Sequence, residues 1–229
     1  MNIILIRPEE TNGNTAHITG ERFEHIRRVL KLGVGDSLKV GILGGKLGTA
    51  VITEMRTESA VLRFECNQEQ PARMPVSIVL ALPRPKVFRR IFFGLVCAGV
   101  KDIHIINSWR VDKSYWESPY LERTDEYVFE ALQQSKDTMP PKVTFHRYFM
   151  GFIENGLAGM TENRYIAHPS GNEIKEFEKP LCLAVGCEGG FIQKELDTFG
   201  KQGFRQFSIG ERILTTEYAV PYILGMIAK

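Results

Sequence analysis

Two hydrophobic rhythms divide the chain. Up to about residue 73, apolar and β-branched residues come in short stretches (3–6, Ser37–Ile42, 49–52, 60–64) separated by glycine-bearing turns such as G-V-G-D and G-G-K-L-G. That spacing predicts a small barrel or sandwich. One helix interrupts it, because Phe23, Ile26, Val29 and Leu30 recur at helical spacing and Gly33 stands where a C-terminal cap would end it. The opposite face then carries Arg22, Arg28 and Lys31. The stretch E-Q-P-A-R-M-P at 69–75 has two prolines and little apolar content, which places a domain boundary there. Beyond it the pattern changes. Residues 76–82 form a continuous apolar run, as in a strand buried on both faces. Further strands are predicted at Asp102–Ile106, 142–146, 164–167, 181–186 and 205–209, and helices at 86–98, 124–137, 150–158, 192–201 and 217–228. Strands alternating with helices imply an α/β domain with a parallel sheet. The expected organisation is a β-rich domain over 1–73 and an α/β domain over 74–229.

Composition sharpens this picture. With 43% hydrophobic and 24% charged residues, the chain has the balance of a folded protein. The net charge of +2 excludes a uniformly basic nucleic-acid coat, but the charge is uneven. Residues 84–123 hold 8 basic and 4 acidic side chains, whereas 124–229 hold 11 and 14. No apolar run approaches the ~18–20 residues a bilayer requires. The apolar start at 3–6 turns charged at once, which reads as an opening strand rather than a secretion signal. Cys66, Cys97, Cys182 and Cys187 include no C-x-x-C pair, and the histidines are scattered. Reduced thiols, a cytoplasmic protein and no metal site are the expectation.

Three segments have the makings of a site. In L-C-L-A-V-G-C-E-G-G-F a buried strand runs into a glycine-rich turn, where Gly186, Gly189 and Gly190 permit close backbone approach to a ligand. The spacing fits neither the dinucleotide nor the P-loop pattern. Cys187 raises the possibility of a thiol hydrolase, but an elbow pattern would centre on Glu188, so a packing role is favoured. The second segment, F-S-I-G-E-R-I-L-T-T-E-Y-A-V-P, follows another strand and holds Arg212 and Glu217 around Thr215 and Thr216. Thr216 is a candidate helix cap, with the regular helix delayed until near Pro221. The third is basic. P-R-P-K-V-F-R-R supplies Arg84, Lys86, Arg89 and Arg90, and N-S-W-R-V-D-K-S-Y-W supplies Arg110 and Lys113 among Trp109, Tyr115 and Trp116. Cations interleaved with aromatics suit an RNA strand, its phosphates paired and its bases stacked.

Taken in order, H-I-R-R-V-L-K-L-G-V-G-D, L-A-L-P-R-P-K, E-A-L-Q-Q-S-K, A-H-P, V-G-C-E-G-G-F and I-G-E-R-I-L-T-T-E-Y-A resemble the RsmE family. These are 16S rRNA uridine-N3 methyltransferases of the SPOUT superfamily. The resemblance implies a PUA-like β-barrel followed by an α/β domain with a C-terminal trefoil knot. It also implies S-adenosylmethionine as cofactor, a homodimer, and small-subunit rRNA or the 30S subunit as partner. By carry-over, the cofactor would be held by Ala167, His168 and Pro169; by Gly186, Glu188, Gly189 and Gly190; and by Ile209, Gly210, Ile213, Leu214, Thr216 and Ala219. Glu217 and Arg212 would be catalytic. Arg22, Arg27, Arg28, Arg84, Lys86, Arg89, Arg90, Arg110 and Lys113 would contact RNA. Cys187 stands where the family usually has Pro, Thr215 where it has Arg and Tyr218 where it has Thr. These departures motivate an alternative, an RNA-binding paralogue with weakened catalysis.

Overall fold

The computed structural model describes residues 1–229. It divides into two compact units, Met1–Ala72 with Val128–Pro140 and Arg73–Tyr127 with Pro141–Lys229. The single cut expected near residue 73 therefore misses the segment 128–140. The reason is hydrogen bonding far along the chain: the Asn2 and Ile3 amides donate to the Gln133 carbonyl, Leu5 N–H to Gln133 Oε1, and Gly44 N–H to Thr138 O. The Thr138 methyl also lies 2.5 Å from where a Cβ on Gly41 would stand, so strand and segment meet backbone to side chain.

The first unit is a six-stranded sheet of β1 (Ile4–Ile6), β2 (Thr11–Asn12), β3 (Thr15–Thr19), β4 (Ser37–Ile42), β5 (Leu47–Met55) and β6 (Ser59–Gln68), in the order β1-β4-β5-β6-β3-β2. β1 and β4 run parallel; the other neighbours are antiparallel. Alternate residues point inward, and Ile4, Ile6, Ile18, Val40, Ile52 and Leu62 form one core with Phe23 and Ile26. β3 was not predicted, although T-A-H-I-T buries Ala16 and Ile18 in strict alternation. At five residues, with one isoleucine, its hydrophobic signal is small.

The predicted helix departs from expectation. A short α1 (Gly20–Glu24) widens into a π-helical turn over His25–Leu30. An extra residue per turn shifts the face, so Val29 and Leu30 are 65% and 42% exposed rather than core. Arg22, expected to face RNA, is 8% exposed. It donates to the Leu5 carbonyl at 2.8 Å and pairs with Glu10, which sits on a 3-10 turn at Pro8–Glu10 that the hydrophobic pattern does not announce.

The second unit is a parallel sheet of β7 (Val76–Ala81), β8 (Asp102–Ile106), β9 (Lys142–His146), β10 (Arg164–Glu173), β11 (Leu181–Val185) and β12 (Arg205–Ser208), ordered β12-β10-β11-β7-β8-β9. The strands β7, apolar but for Ser77, and β11, wholly apolar, are central and covered, as their runs predict. The helices of the chain are α2 (Pro85–Cys97), α3 (Pro119–Glu122), α4 (Thr124–Ser135), α5 (Phe149–Gly151), α6 (Gln193–Lys201) and α7 (Thr216–Ile227). The helix expected over 150–158 is α5 followed by a π-helical turn, Phe152–Gly156. α7 begins at Thr216 despite Pro221, because the Tyr218 and Ala219 amides already bond to Thr215 O. Thr215, not Thr216, occupies the cap position. No helix is long and apolar enough to cross a membrane.

The Arg22–Glu10 pair gives the first unit a measurable signature. Burial pushes the Glu10 carboxyl up, but hydrogen bonds from Arg22 and the Arg7 amide outweigh it and hold it below its ordinary 4.5. A depressed carboxylate stabilises the fold above its unfolded pKa, and that contribution is lost as pH falls through the lowered value. Arg22→Met is expected to lower the unfolding free energy by about 2 kcal/mol at pH 7, between the values for exposed and fully buried pairs. The difference from the parent should shrink below about pH 4. Urea titrations at both pH values check this; a gap that persists in acid would remove the ion pair as its cause.

Candidate active site

Because every strand of the second sheet runs the same way, the loops after β10, β11 and β12 leave one edge of it together, the position at which open α/β sheets bind ligands. They enclose a cavity of about 450 Å³.

The wall after β10 is made by an extrusion. Ala167 and Asn172 both pair with Phe207 of β12, so residues 168–171 loop out between two paired stretches. Gly171 is required there: a Cβ would lie 2.5 Å from the Phe207 backbone. This is why β10 runs on to Glu173 rather than ending near 167 as predicted. On the extruded loop His168 Nδ1 and Ser170 Oγ are 2.7 Å apart. Burial, and then the Arg110 charge, hold the imidazole below its ordinary 6.5, so it is neutral at pH 7.

The wall after β11 is the glycine turn. A Cβ on Gly186 would sit 2.9 Å from Gly190 Cα, so no side chain fits. Gly190, at φ +70°, closes the turn by donating to Cys187 O at 2.8 Å. The stem of Arg110 packs on Gly189, and its guanidinium donates to the Gly189 carbonyl. Glu188 accepts from the Arg84 amide at 3.0 Å. Cys187 is buried, with Ser108 Oγ at 3.9 Å. A nucleophile needs exposure and an activating base, so Cys187 is a packing residue.

The wall after β12 passes through Gly210, at φ +117°, into α7. It is tied to the second wall by one buried bond, Thr216 Oγ1 donating to Gly186 O at 3.1 Å.

The structure thus gathers the residues singled out in sequence. Ala167, His168 and Pro169 line the cavity from the first loop, Gly186, Glu188, Gly189 and Gly190 from the second, and Ile209, Gly210, Arg212, Ile213, Leu214, Thr216 and Ala219 from the third. Sequence reasoning missed Val185, Phe207, Ser208, Glu211 and Ile223, and it gave Arg110 to RNA alone. Position at a strand's carboxyl end was the available signal for Phe207 and Ser208.

Glu217 is placed differently. It faces a second groove of about 550 Å³ between α2 and α7, shared with Ile91, Leu95, Tyr218 and Pro221. Arg90 holds both its oxygens, Nε–Oε1 at 2.7 Å and Nη2–Oε2 at 3.0 Å. Of the expected RNA contacts, Arg27, Arg28, Arg84, Lys86, Arg89, Arg90, Arg110 and Lys113 are exposed. Arg27 and Arg28 both pair with Glu24, and Arg89 lies over the Tyr127 ring at 5.2 Å.

Fold, cavity and comparison agree on a class. Residues 69–228 match the family model described as an RNA methyltransferase domain, and residues 18–65 match that of an RNA methyltransferase PUA domain. The protein is an RNA methyltransferase with a PUA domain. A curated relative, Ribosomal RNA small subunit methyltransferase E of Treponema pallidum, is 30% identical over 96% of this chain and 87% of its own. The chain belongs to that family. Among solved structures, a methyltransferase from Legionella pneumophila in complex with its cofactor superposes with TM-score 0.79 at 22% identity, covering 99% of this chain and 96% of that one. Ribosomal RNA small subunit methyltransferase E from Neisseria gonorrhoeae gives 0.77 at 19% identity, covering 97% and 95%.

The tie between second and third walls can be tested directly. Thr216→Val is expected to cost about 1–2 kcal/mol, since it leaves the buried Gly186 carbonyl without its partner. Thr215→Ala should stay within about 0.5 kcal/mol, because Thr215 makes no side-chain cap bond. Guanidinium titrations of the pair check this; equal effects would assign the cost to helix initiation instead.

Proposed function

We propose that this protein transfers a methyl group from S-adenosylmethionine to N3 of a uridine in 16S rRNA, working in the cytoplasm as a homodimer. Family membership and the three-walled cavity carry the reading. The cavity's volume lies within the range of small-molecule sites, about 300–1,000 Å³. Its residues suit the cofactor: glycine backbones allow close approach, Ile209, Leu214, Ala219 and Ile223 offer apolar walls for an adenine ring, and Glu188 supplies an acceptor. The solved relatives from Legionella and Neisseria carry S-adenosylmethionine, which supports the same ligand here. Insertion of β11 between β10 and β7, with β12 outside β10, supports the trefoil threading that the resemblance implies. The α2–α7 groove, with Tyr218 and Tyr222 exposed beside it, supports a second copy packing there.

When bound, the cofactor supplies a sulfonium methyl open to in-line attack. The chain's own part is chiefly positioning, with reacting atoms about 3–3.5 Å apart. Arg212, on the third wall, stabilises charge developing on the uracil oxygens. The N3 proton must leave, and Glu217 is the carboxylate assigned to take it. Arg90 now occupies that carboxylate, so the role requires Glu217 to exchange Arg90 for the base. N3 lies on the Watson–Crick edge, so the target is unpaired or flipped out when it reacts.

Small-subunit RNA from cells lacking this protein, offered as free 16S rRNA and as 30S subunits, should gain one 3-methyluridine mapped by mass spectrometry. Gly186→Ala should weaken S-adenosylmethionine binding at least about ten-fold by calorimetry, because the turn must open to admit a Cβ. No methyl incorporation with intact cofactor binding would favour the non-catalytic RNA binder; Glu217→Gln with near-normal turnover would remove the base assignment. Charge reversal at Arg27, Arg28, Arg89 and Arg90 should lower RNA affinity and flatten its dependence on salt, each lost phosphate contact removing about 0.7–0.9 from the log–log slope. An unchanged slope would move the RNA track elsewhere.

A further inference from the structure

Two of the most exposed aromatic side chains stand on neighbouring strand-end loops. Trp109, 79% exposed, follows β8, and Tyr148, 80% exposed, follows β9. The Asn107 amide donates to His146 O at 2.9 Å, so the loops leave the sheet side by side. Both are anchored on α6. Buried Glu195 accepts from the Trp109 amide at 2.8 Å through one oxygen and from the Ile192 amide at 2.9 Å through the other. Phe149, next to Tyr148, packs edge-on against Phe199 with ring centroids 5.4 Å apart. The backbone at Trp109 is therefore fixed while its indole projects into solvent. The contrast with Trp116, 8% exposed and bonded through its indole N–H to Asn107, is plain.

Location gives the exposed ring its meaning. Arg110, the next residue, lines the cavity and grips the Gly189 carbonyl on its wall. Lys113 and Arg147 add cations nearby in sequence and fold; Arg147 bonds Trp116 O and pairs with Glu117, while Asp112 is occupied by Ser114. Scattered exposed apolar residues need no explanation. An indole on a fixed backbone one residue from the cavity wall, on a loop next to one bearing a second exposed aromatic and among cations, is another matter. An unpaired strand that presents one base to a pocket leaves its neighbours unstacked, and an aromatic face replaces the lost stacking without reading sequence.

We infer that Trp109 is a stacking platform for an unpaired nucleobase adjacent to the target uridine, extended by Tyr148 and held in place by Glu195. This rests on the methyltransferase reading for what occupies the cavity, but the platform is a binding site in its own right. Glu195 is a positioning residue, acting through the Trp109 amide.

Intrinsic fluorescence of the intact protein tests it, with a uridine-rich single-stranded oligonucleotide of about ten nucleotides as probe. Quenching is expected in the parent and absent in Trp109→Phe, whose remaining tryptophan is buried. Trp109→Ala should weaken oligonucleotide binding by roughly five- to hundred-fold, while Trp109→Phe stays within about three-fold. Neither should alter S-adenosylmethionine affinity or the melting temperature, since the side chain is exposed. Glu195→Gln, which keeps one acceptor for the two amides, should lose less oligonucleotide binding than Glu195→Ala, which should reproduce part of the Trp109→Ala loss. Equal oligonucleotide affinity in Trp109→Ala and the parent would overturn the proposal. So would a self-association that disappears in Trp109→Ala, which would give the ring to an interface between copies or to another protein. If the parent shows no methyl transfer yet its quenching depends on Trp109, the methyltransferase reading fails and the platform stands.

Discussion

The site depends on one close approach. Gly186 leaves β11 with no room for a Cβ, and its carbonyl receives the Thr216 hydroxyl from the start of α7. Two segments thirty residues apart are thereby pinned at a single peptide group. The turn has to be narrow for Gly190 to fold back over Gly186, and α7 has to begin at Thr216 for its hydroxyl to reach. Displacing either would open the wall between the second and third loops. The extrusion after β10 then completes the enclosure, itself dependent on the missing side chain at Gly171. Cavity shape is set mainly by backbone contact, which explains how glycines and small residues define a binding site containing few charged groups.

How much of this was legible in the sequence follows from where the hydrophobic signal is strong. Central strands β7 and β11 are covered on both faces, so their runs are apolar but for Ser77 and their bounds nearly right. The parallel α/β character follows from the alternation of such runs with helices. The cavity residues were legible because glycine-rich turns after strands are conspicuous, and because several ordered motifs together resemble a family. What escaped detection depended on partners distant in the chain. Arg22 looks like a solvated cation until Glu10 is brought against it by an unannounced 3-10 turn. Val29 and Leu30 look like core residues until a π-helical turn changes the period. Segment 128–140 is held within the first unit by Gln133 and Thr138, polar residues that no hydrophobic pattern would single out.

The electrostatics show the same division between what a residue type permits and what its neighbours leave it free to do. Counting cations suggested a broad RNA face. In the structure, Arg22 is consumed by a carboxylate and a carbonyl inside the first unit, Arg27 and Arg28 share Glu24, and Arg110 braces the glycine turn. Surface pairs of this kind are worth little, about 0–1 kcal/mol, and a phosphate with a stronger local charge can displace the carboxylate. The exposed arginines thus remain usable by RNA, whereas Arg22, with its hydrogen bond to Leu5 O, does not.

The Arg90–Glu217 pair raises that argument to the chemistry itself. Thr216 and Glu217 are consecutive, yet one lines the cavity and the other the α2–α7 groove, because successive residues on a helix point about 100° apart. A carboxylate on the groove side is poorly sited to serve a base inside its own cavity unless the substrate approaches from that groove. A second copy seated against α2 and α7 would bring such an approach within reach, and would also surround Tyr218 and Tyr222. An RNA phosphate arriving there would compete for Arg90 and release Glu217 as the substrate binds. Substrate binding and freeing of the carboxylate would then be one event, with the base withheld until a strand is in place. Under the proposed role, the ion pair at 2.7 Å is the resting arrangement that has to open before Glu217 can take a proton.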